Sequence, residues 1–241
     1  MEESSFEIKE KEKSFLKNDN NIEYIGEIYS NELNTYKVIL IGDKGVGKTS
    51  ICLSLLKKDY INRIPSTISV QIQNYQMKIN DKIIQMQLWD TGGLEEFYSY
   101  TPNLFQNADL AIFVYSINDK ISFEHISSLD SLLNQNSFEC IKYLVGNKID
   151  LEDKRMVQKY EAEDYKNTYG FNKFMEISSK INLNIKELLD NIGISLYDKY
   201  ISNNNGFSHE NINSYEDAKP SSLLNKKWNQ ILSFKINKVF K

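Results

Sequence analysis

The chain is poor in cysteine. Cys52 and Cys140 are its only two, too few for a disulfide framework, and Cys52 falls in a helical segment beside a glycine turn. A reducing, cytoplasmic location is expected. No stretch approaches the roughly 18 apolar residues of a membrane span, and the opening "MEESSFEIKEKEK" has no apolar signal core. Glu2 stands where N-myristoylation requires glycine, and the closing "KINKVFK" holds no cysteine to accept a prenyl group. A large charge of one sign is missing too. The formal net charge is −4, so nothing draws the whole molecule to nucleic acid, and any basic surface must be local. What is present suits a soluble, monomeric protein: 241 residues, 41% hydrophobic and 26% charged, enough for one globular domain of about 170 residues with extensions.

Residues 1–34 carry nine acids and four lysines with little periodicity, and are read as a mobile acidic extension with room for a short helix. From Thr35, apolar strands alternate with amphipathic helices, the pattern of a parallel sheet covered on both faces. Strands are expected at 35–41, 69–79, 82–89, 108–116, 140–146 and 173–177, the second and third joined by a tight hairpin at "INDK". Helices are expected at 48–58, about 95–104, 119–134, 157–168 and 184–200. The expected fold class is α/β, a six-stranded, mostly parallel sheet with about five helices over residues 35–201. Beyond it, 202–221 reads as a polar linker and 222–241 as a basic, moderately amphipathic tail.

"GDKGVGKT" matches G-x-x-x-x-G-K-[ST] as Gly42, Gly47, Lys48 and Thr49, just after an expected buried strand and at the start of an expected helix. Glycines let the chain curl so that successive N–H groups of Asp43, Lys44, Gly45, Val46 and Ser50 face an anion. The helix N-terminus adds the positive end of a dipole, Lys48 supplies a charge to the outer phosphates, and the Thr49 hydroxyl suits Mg²⁺. A glycine-containing surface turn would fit the letters alone; it does not explain the strand and helix that flank them.

The phosphates do not say which base is bound. "YLVGNKID" puts Asn147, Lys148 and Asp150 at the C-terminal end of an expected strand, where open α/β sheets place their ligands. Asp150 can accept two hydrogen bonds, from guanine N1–H and its exocyclic amine, which adenine does not offer in that arrangement. A buried carboxylate left unpaired costs several kcal/mol, so such a site rejects adenine.

Together "GDKGVGKTS", "STISV", "WDTGG", "GNKID" and "ISSK" occur in the order of the Ras superfamily of small GTPases, and the chain most resembles its Rab-like branch over residues 35–200. The resemblance implies a domain that binds GTP or GDP with Mg²⁺. Position by position, it implies that Thr67 of "STISV" ligates Mg²⁺ and senses the γ-phosphate, and that Asp90 holds Mg²⁺ through water. Gly93 resembles the family's glycine whose N–H meets the γ-phosphate. Tyr60, twelve residues after Lys48, stands where the family places a ring against guanine, and a core tyrosine fits it as well. Ser178, Ser179 and Lys180 resemble the base-capping loop, with the Ser179 N–H meeting guanine O6.

The chain departs from the family's pattern in five places, one of them the C-terminal prenylation cysteine it lacks. Leu94 occupies the position of the water-orienting glutamine; a leucine neither donates nor accepts a hydrogen bond, so binding is expected to survive and hydrolysis to be weak. In Ras, intrinsic turnover even with glutamine is on the order of 10⁻⁴ s⁻¹, so GTP is expected to persist here for roughly an hour or more. Lys44 is a long cation where the family has a small residue; it either obstructs an activating arginine or supplies charge itself. Gly92 replaces an alanine and Ser69 a glycine.

The functions that follow are a Rab-like switch in vesicle trafficking or signalling and, as the alternative, a GTP-locked module that recruits effectors without turnover. An ATPase or nucleotide kinase is disfavoured by "NKID" and by the lack of a lid-like insertion. Effectors are expected at switch I, around 68–72, and switch II, around 97–104, with an exchange factor and an activating protein as further partners. From Ser221 the tail has five lysines and no acid, with Leu224, Trp228, Ile231, Leu232 and Val239 on one helical side. It suits either a peripheral membrane contact or docking to protein.

Overall fold

A computed structural model of the chain describes residues 22–26, 33–58, 70–92, 104–137 and 139–205. Its strands are β1 (Ile22–Gly26), β2 (Thr35–Ile41), β3 (Gln71–Ile79), β4 (Lys82–Asp90), β5 (Leu110–Ser116), β6 (Ile141–Asn147) and β7 (Lys173–Glu176). The helices are α1 (Lys48–Leu55), α2 (Lys120–Glu124), α3 (Ile126–Asn136), α4 (Lys159–Tyr169) and α5 (Ile185–Asn205), with a 3₁₀ segment at Ile149–Lys154. The sheet order is β1-β3-β4-β2-β5-β6-β7, with β3 antiparallel to its neighbours β1 and β4 and the remaining pairs parallel.

Alternation along β2 explains why both faces are covered. Val38 and Leu40 point into one core with Ile51 and Leu55 of α1 and Leu188, Ile192 and Leu196 of α5. Ile39 and Ile41 point into the other with Ile126 and Leu133 of α3 and Ala162 of α4. Period two on a strand flanked by helices on both sides gives a continuous apolar run. β5, "LAIFVYS", is buried at every position.

Three expectations change. The sheet has seven strands rather than six, because residues 22–26 of the expected N-terminal extension pair antiparallel with 76–79 of β3. Tyr24 anchors this strand by donating its hydroxyl proton to Asp190 of α5, which also pairs with Lys186 at 2.7 Å. A five-residue strand that finds its partner about 50 residues away leaves almost no periodic signal in the sequence. The helix expected at 119–134 is two helices that break at His125, and α5 runs on through Asn205 into the stretch read as linker. The β3–β4 hairpin turns at Asn80 and Asp81 as expected, with Asn80 in the left-handed region at φ 53. Residues 95–103 of the helix expected near 95–104 and the tail at 222–241 lie outside the described residues, as does 206–221 of the linker.

The chain runs from β2 to β3 and β4 on one side of the sheet and to β5, β6 and β7 on the other, so a topological switch point lies at β2/β5. The segments after β2, β5, β6 and β7 meet at the C-terminal edge above it, where such folds bind ligands.

Candidate functional site

Gly42 ends β2 at φ +150, and a Cβ there would lie 2.1 Å from the Val114 carbonyl oxygen, so only glycine lets the turn press onto β5. Gly47 lies at φ +103, and a Cβ on it would meet Asn147 Nδ2 at 2.3 Å. Gly47 is also the N-cap of α1. It offers no side-chain acceptor, and no acid lies in the helix's first turn, so neither the cap nor the first turn neutralises the dipole end that faces the loop. That is the electrostatic requirement for holding an anion.

Lys48 is 5% exposed, and its ammonium donates to the carbonyls of Gly42 (2.7 Å) and Asp43 (2.8 Å). It is thus held over the curl of the loop. Asp90, at the end of β4, is 2% exposed. Burial pushes its carboxyl above the usual range, opposed by a hydrogen bond with the Thr49 side chain and by the Lys48 charge. Its Oδ1 is buried and has no hydrogen-bond partner. An ionised oxygen left so in a dry site is costly unless a cation meets it. With the Thr49 hydroxyl beside it, Asp90 offers the hard oxygen donors that suit Mg²⁺, which takes one or two protein oxygens and completes its shell with water and phosphate. The residues fit that ion.

Asn147 ties the loop to the 178–180 segment. Its Nδ2 donates to the Val46 carbonyl (2.9 Å) and to Ser179 Oγ (3.2 Å), while its Oδ1 accepts the Ser179 N–H (3.1 Å). Lys148 adopts the left-handed conformation at φ 70, and burial lowers its ammonium's pKa against the opposing charges of Asp119 and Asp150. Asp150 Oδ1 accepts the Ser178 hydroxyl (2.6 Å), and its Oδ2 lies 3.8 Å from Lys180 Nζ. The 178–180 loop is closed by paired main-chain bonds between Ser178 and Leu183 (3.1 and 3.0 Å), and the Ser179 carbonyl accepts Ser54 Oγ of α1 (3.2 Å).

The structure therefore brings Gly42, Asp43, Lys44, Gly45, Val46, Gly47, Lys48, Thr49 and Ser50 of the loop and first turn of α1 to one edge with Asp90, Asn147, Lys148, Asp150, Ser178, Ser179 and Lys180. The Ser179 N–H, expected to meet a base carbonyl, is directed at Asn147 Oδ1. Tyr60, Thr67, Ser69, Gly93 and Leu94 lie outside the described residues. Sequence reasoning missed His125, whose Nδ1 lies 2.7 Å from Asp43 Oδ2 of the loop. Nothing in the helical pattern of 119–134 marks it.

The described residues contain no helix long and apolar enough to cross a membrane. The sequence matches the model of the Ras family over residues 37–198. It is similar to the Ras-related protein Rab-1 of Theileria annulata, at 32% identity over 192 residues that cover 79% of this chain and 81% of that one. It is 34% identical to the Ras-related protein Rab-1 of Theileria parva over 166 residues, 68% of this chain and 75% of that one. The Ras-related protein Rab-13 of Bos taurus is 35% identical over 158 residues, 65% of this chain and 77% of that one. With the phosphate loop, the buried carboxylate and the base segment in one place, the chain belongs to the Ras family, as a Rab-like small GTPase.

Proposed function

We propose that the protein is a guanine-nucleotide switch that binds GTP and GDP with Mg²⁺, hydrolyses GTP slowly, and acts in vesicle trafficking or signalling from the cytoplasm. The observation that carries this reading is the Asn147 bridge, which makes a base-reading segment and a phosphate cradle one rigid unit. Asp90 and Thr49 would hold the ion, with Thr67 joining them, and Mg²⁺ when bound neutralises charge on the phosphates. Lys48 would hold the outer phosphates, the loop amides of 43–50 would cradle them, and Gly93 would sense the γ-phosphate. Asn147, Lys148, Asp150 and the 178–180 loop would read guanine, with Tyr60 against its face. The nucleotide-binding unit would span 35–201, with β1 as an added edge strand.

Leu94 supports slow hydrolysis, because its side chain has no group to orient the attacking water. It equally favours a second reading, a GTP-locked module that recruits effectors through both switches without turnover. Single-turnover hydrolysis separates them from ordinary catalysis: Leu94→Gln is expected to cleave GTP faster than wild type, and equal rates would refute the role given to Leu94. Identifying the nucleotide that co-purifies tests the site itself. GTP supports a stalled switch, GDP an assisted cycle, and neither sinks the reading. Exchange factors, activating proteins and effectors are the partners such a cycle requires. For residues 222–241 a peripheral membrane contact and docking to protein stand as alternatives, separated by whether sedimentation with anionic liposomes is lost when they are deleted.

A further inference from the structure

His125 stands at the break between α2 and α3 on a rigid mount. Its N–H donates to the Ile121 carbonyl at 3.0 Å, its carbonyl accepts Ser128 N at 3.1 Å and Leu129 N at 3.2 Å, and Phe123 and Ile126 on either side are buried in the core. From there the imidazole reaches back 82 residues to the phosphate loop, with Nδ1 at 2.7 Å from Asp43 Oδ2. Asp43 is also the residue whose main-chain carbonyl accepts the Lys48 ammonium at 2.8 Å. One side chain on a core-anchored helix junction thus fixes the residue that helps hold the phosphate-binding lysine.

The pair has an electrostatic side. A carboxylate on a phosphate loop repels the anion that the loop is built to hold, and an imidazolium beside it cancels that repulsion. The Asp43 carboxylate is 15% exposed and the imidazole 52%, so the ring exchanges protons with water while the carboxylate is largely shielded. The other charged groups of these segments are Lys44, Lys48, Asp119, Lys120 and Glu124. Lys120 pairs with Glu161 at 2.5 Å, Asp119 caps α2, Lys48 is held by the loop carbonyls, and Lys44 and Glu124 are the sequence neighbours of Asp43 and His125. Histidine is the side chain whose ordinary charge change falls between about pH 5 and 8.

We infer that His125 is a positioning residue for the phosphate loop, holding Asp43 and through it Lys48, and that its charge sets how tightly the loop grips a nucleotide's phosphates. The second half rests on the guanine-nucleotide reading above. The test is release of fluorescent GDP from the full chain in excess Mg²⁺ at several pH values. Wild type is expected to release GDP about two- to fivefold faster at about pH 8.5 than at about pH 5.5, the scale of one partly exposed ion pair. His125→Ala should release fast throughout with this rise removed. His125→Asn, which keeps a neutral donor, should recover part of the slow release without its pH dependence. A His125→Ala protein with the wild-type rate and slope overturns the inference while leaving the nucleotide reading intact. Independently of any ligand, the His125 ring resonances of the nucleotide-free protein, compared by NMR at one pH, should move in Asp43→Asn relative to wild type. Unmoved ring resonances overturn the positioning. A wild-type protein that takes up neither GDP nor GTP sinks the nucleotide reading and the grip with it, and the NMR comparison then decides the positioning alone.

Discussion

Removing the Asn147 side chain beyond Cβ tests whether the phosphate loop and the base segment form one unit. Asn147 is 1% exposed and engages Val46 and Ser179 through four bonds of 2.9, 3.1, 3.2 and 3.3 Å. Asn147→Ala leaves the Val46 carbonyl and the Ser179 N–H without these partners where water barely reaches. An unsatisfied buried group costs about 1–3 kcal/mol, so we expect a combined loss of about 2–4 kcal/mol. For a domain of this size that lowers the melting temperature of the nucleotide-free protein by about 5–15 °C. Asn147→Asp should be at least as harmful, since it still accepts from Ser179 but turns a carboxylate oxygen toward the Val46 carbonyl. The assay is thermal unfolding in a chelator, repeated with GDP, where the variant should also lose most ligand-induced stabilisation. A nucleotide-free Asn147→Ala protein that melts within about 1 °C of wild type would refute the claim that this amide holds the loop.

Asp90 should show the opposite balance between stability and function. Its carboxyl is raised by burial, so in the metal-free protein the ionised form burdens the fold: stability at this site falls as pH rises from the ordinary value of 3.8 through the raised folded value. Asp90→Asn is therefore expected to melt at or above the wild-type temperature at pH 7 in a chelator, while Mg²⁺ no longer slows its nucleotide release; a drop of several degrees in the chelator would contradict the burial argument. Tyr24→Phe removes the hydroxyl that pins β1 to Asp190, and because Asp190 keeps Lys186 at 2.7 Å the loss should be modest, about 1 kcal/mol or 2–4 °C, with faster amide exchange at 22–26. Unchanged melting and exchange would mean that the strand does not depend on this bond. Burial pushes the Cys140 thiol up to about 12 and leaves Cys52 only 2% exposed, so a disulfide reagent at pH 8 should react slowly with the folded protein and with both thiols in denaturant. Rapid modification of either one in the folded state would overturn this.

Most of the fold could be read before any coordinates, because strands buried on both faces announce themselves as apolar runs. β2, β5 and β6 fall within one or two residues of their expected positions. α2 and α3 were harder to separate, since the break at His125 keeps helical dihedrals (φ −67, ψ −18) and does not disturb the apolar spacing. The candidate site divides in the same way. The glycines, Lys48, Thr49, Asn147 and Asp150 stand in motifs whose spacing reflects local backbone geometry. Asp90 was placed only by its resemblance to a family pattern, and the structure adds its buried, unpartnered oxygen.

The sequence by itself determined what depends on neighbours along the chain: the alternation that buries both faces of the sheet, the glycine curl, and the strand ends that carry Asn147, Lys148 and Asp150. Only the tertiary structure decided which distant groups meet, because such contacts have no period to read. These are β1 on the edge of β3, the Tyr24 hydroxyl on Asp190, the Asn147 amide between Val46 and Ser179, and the His125 imidazole on Asp43. Each joins residues separated by long stretches of chain, where packing of the sheet and its helices sets the distance.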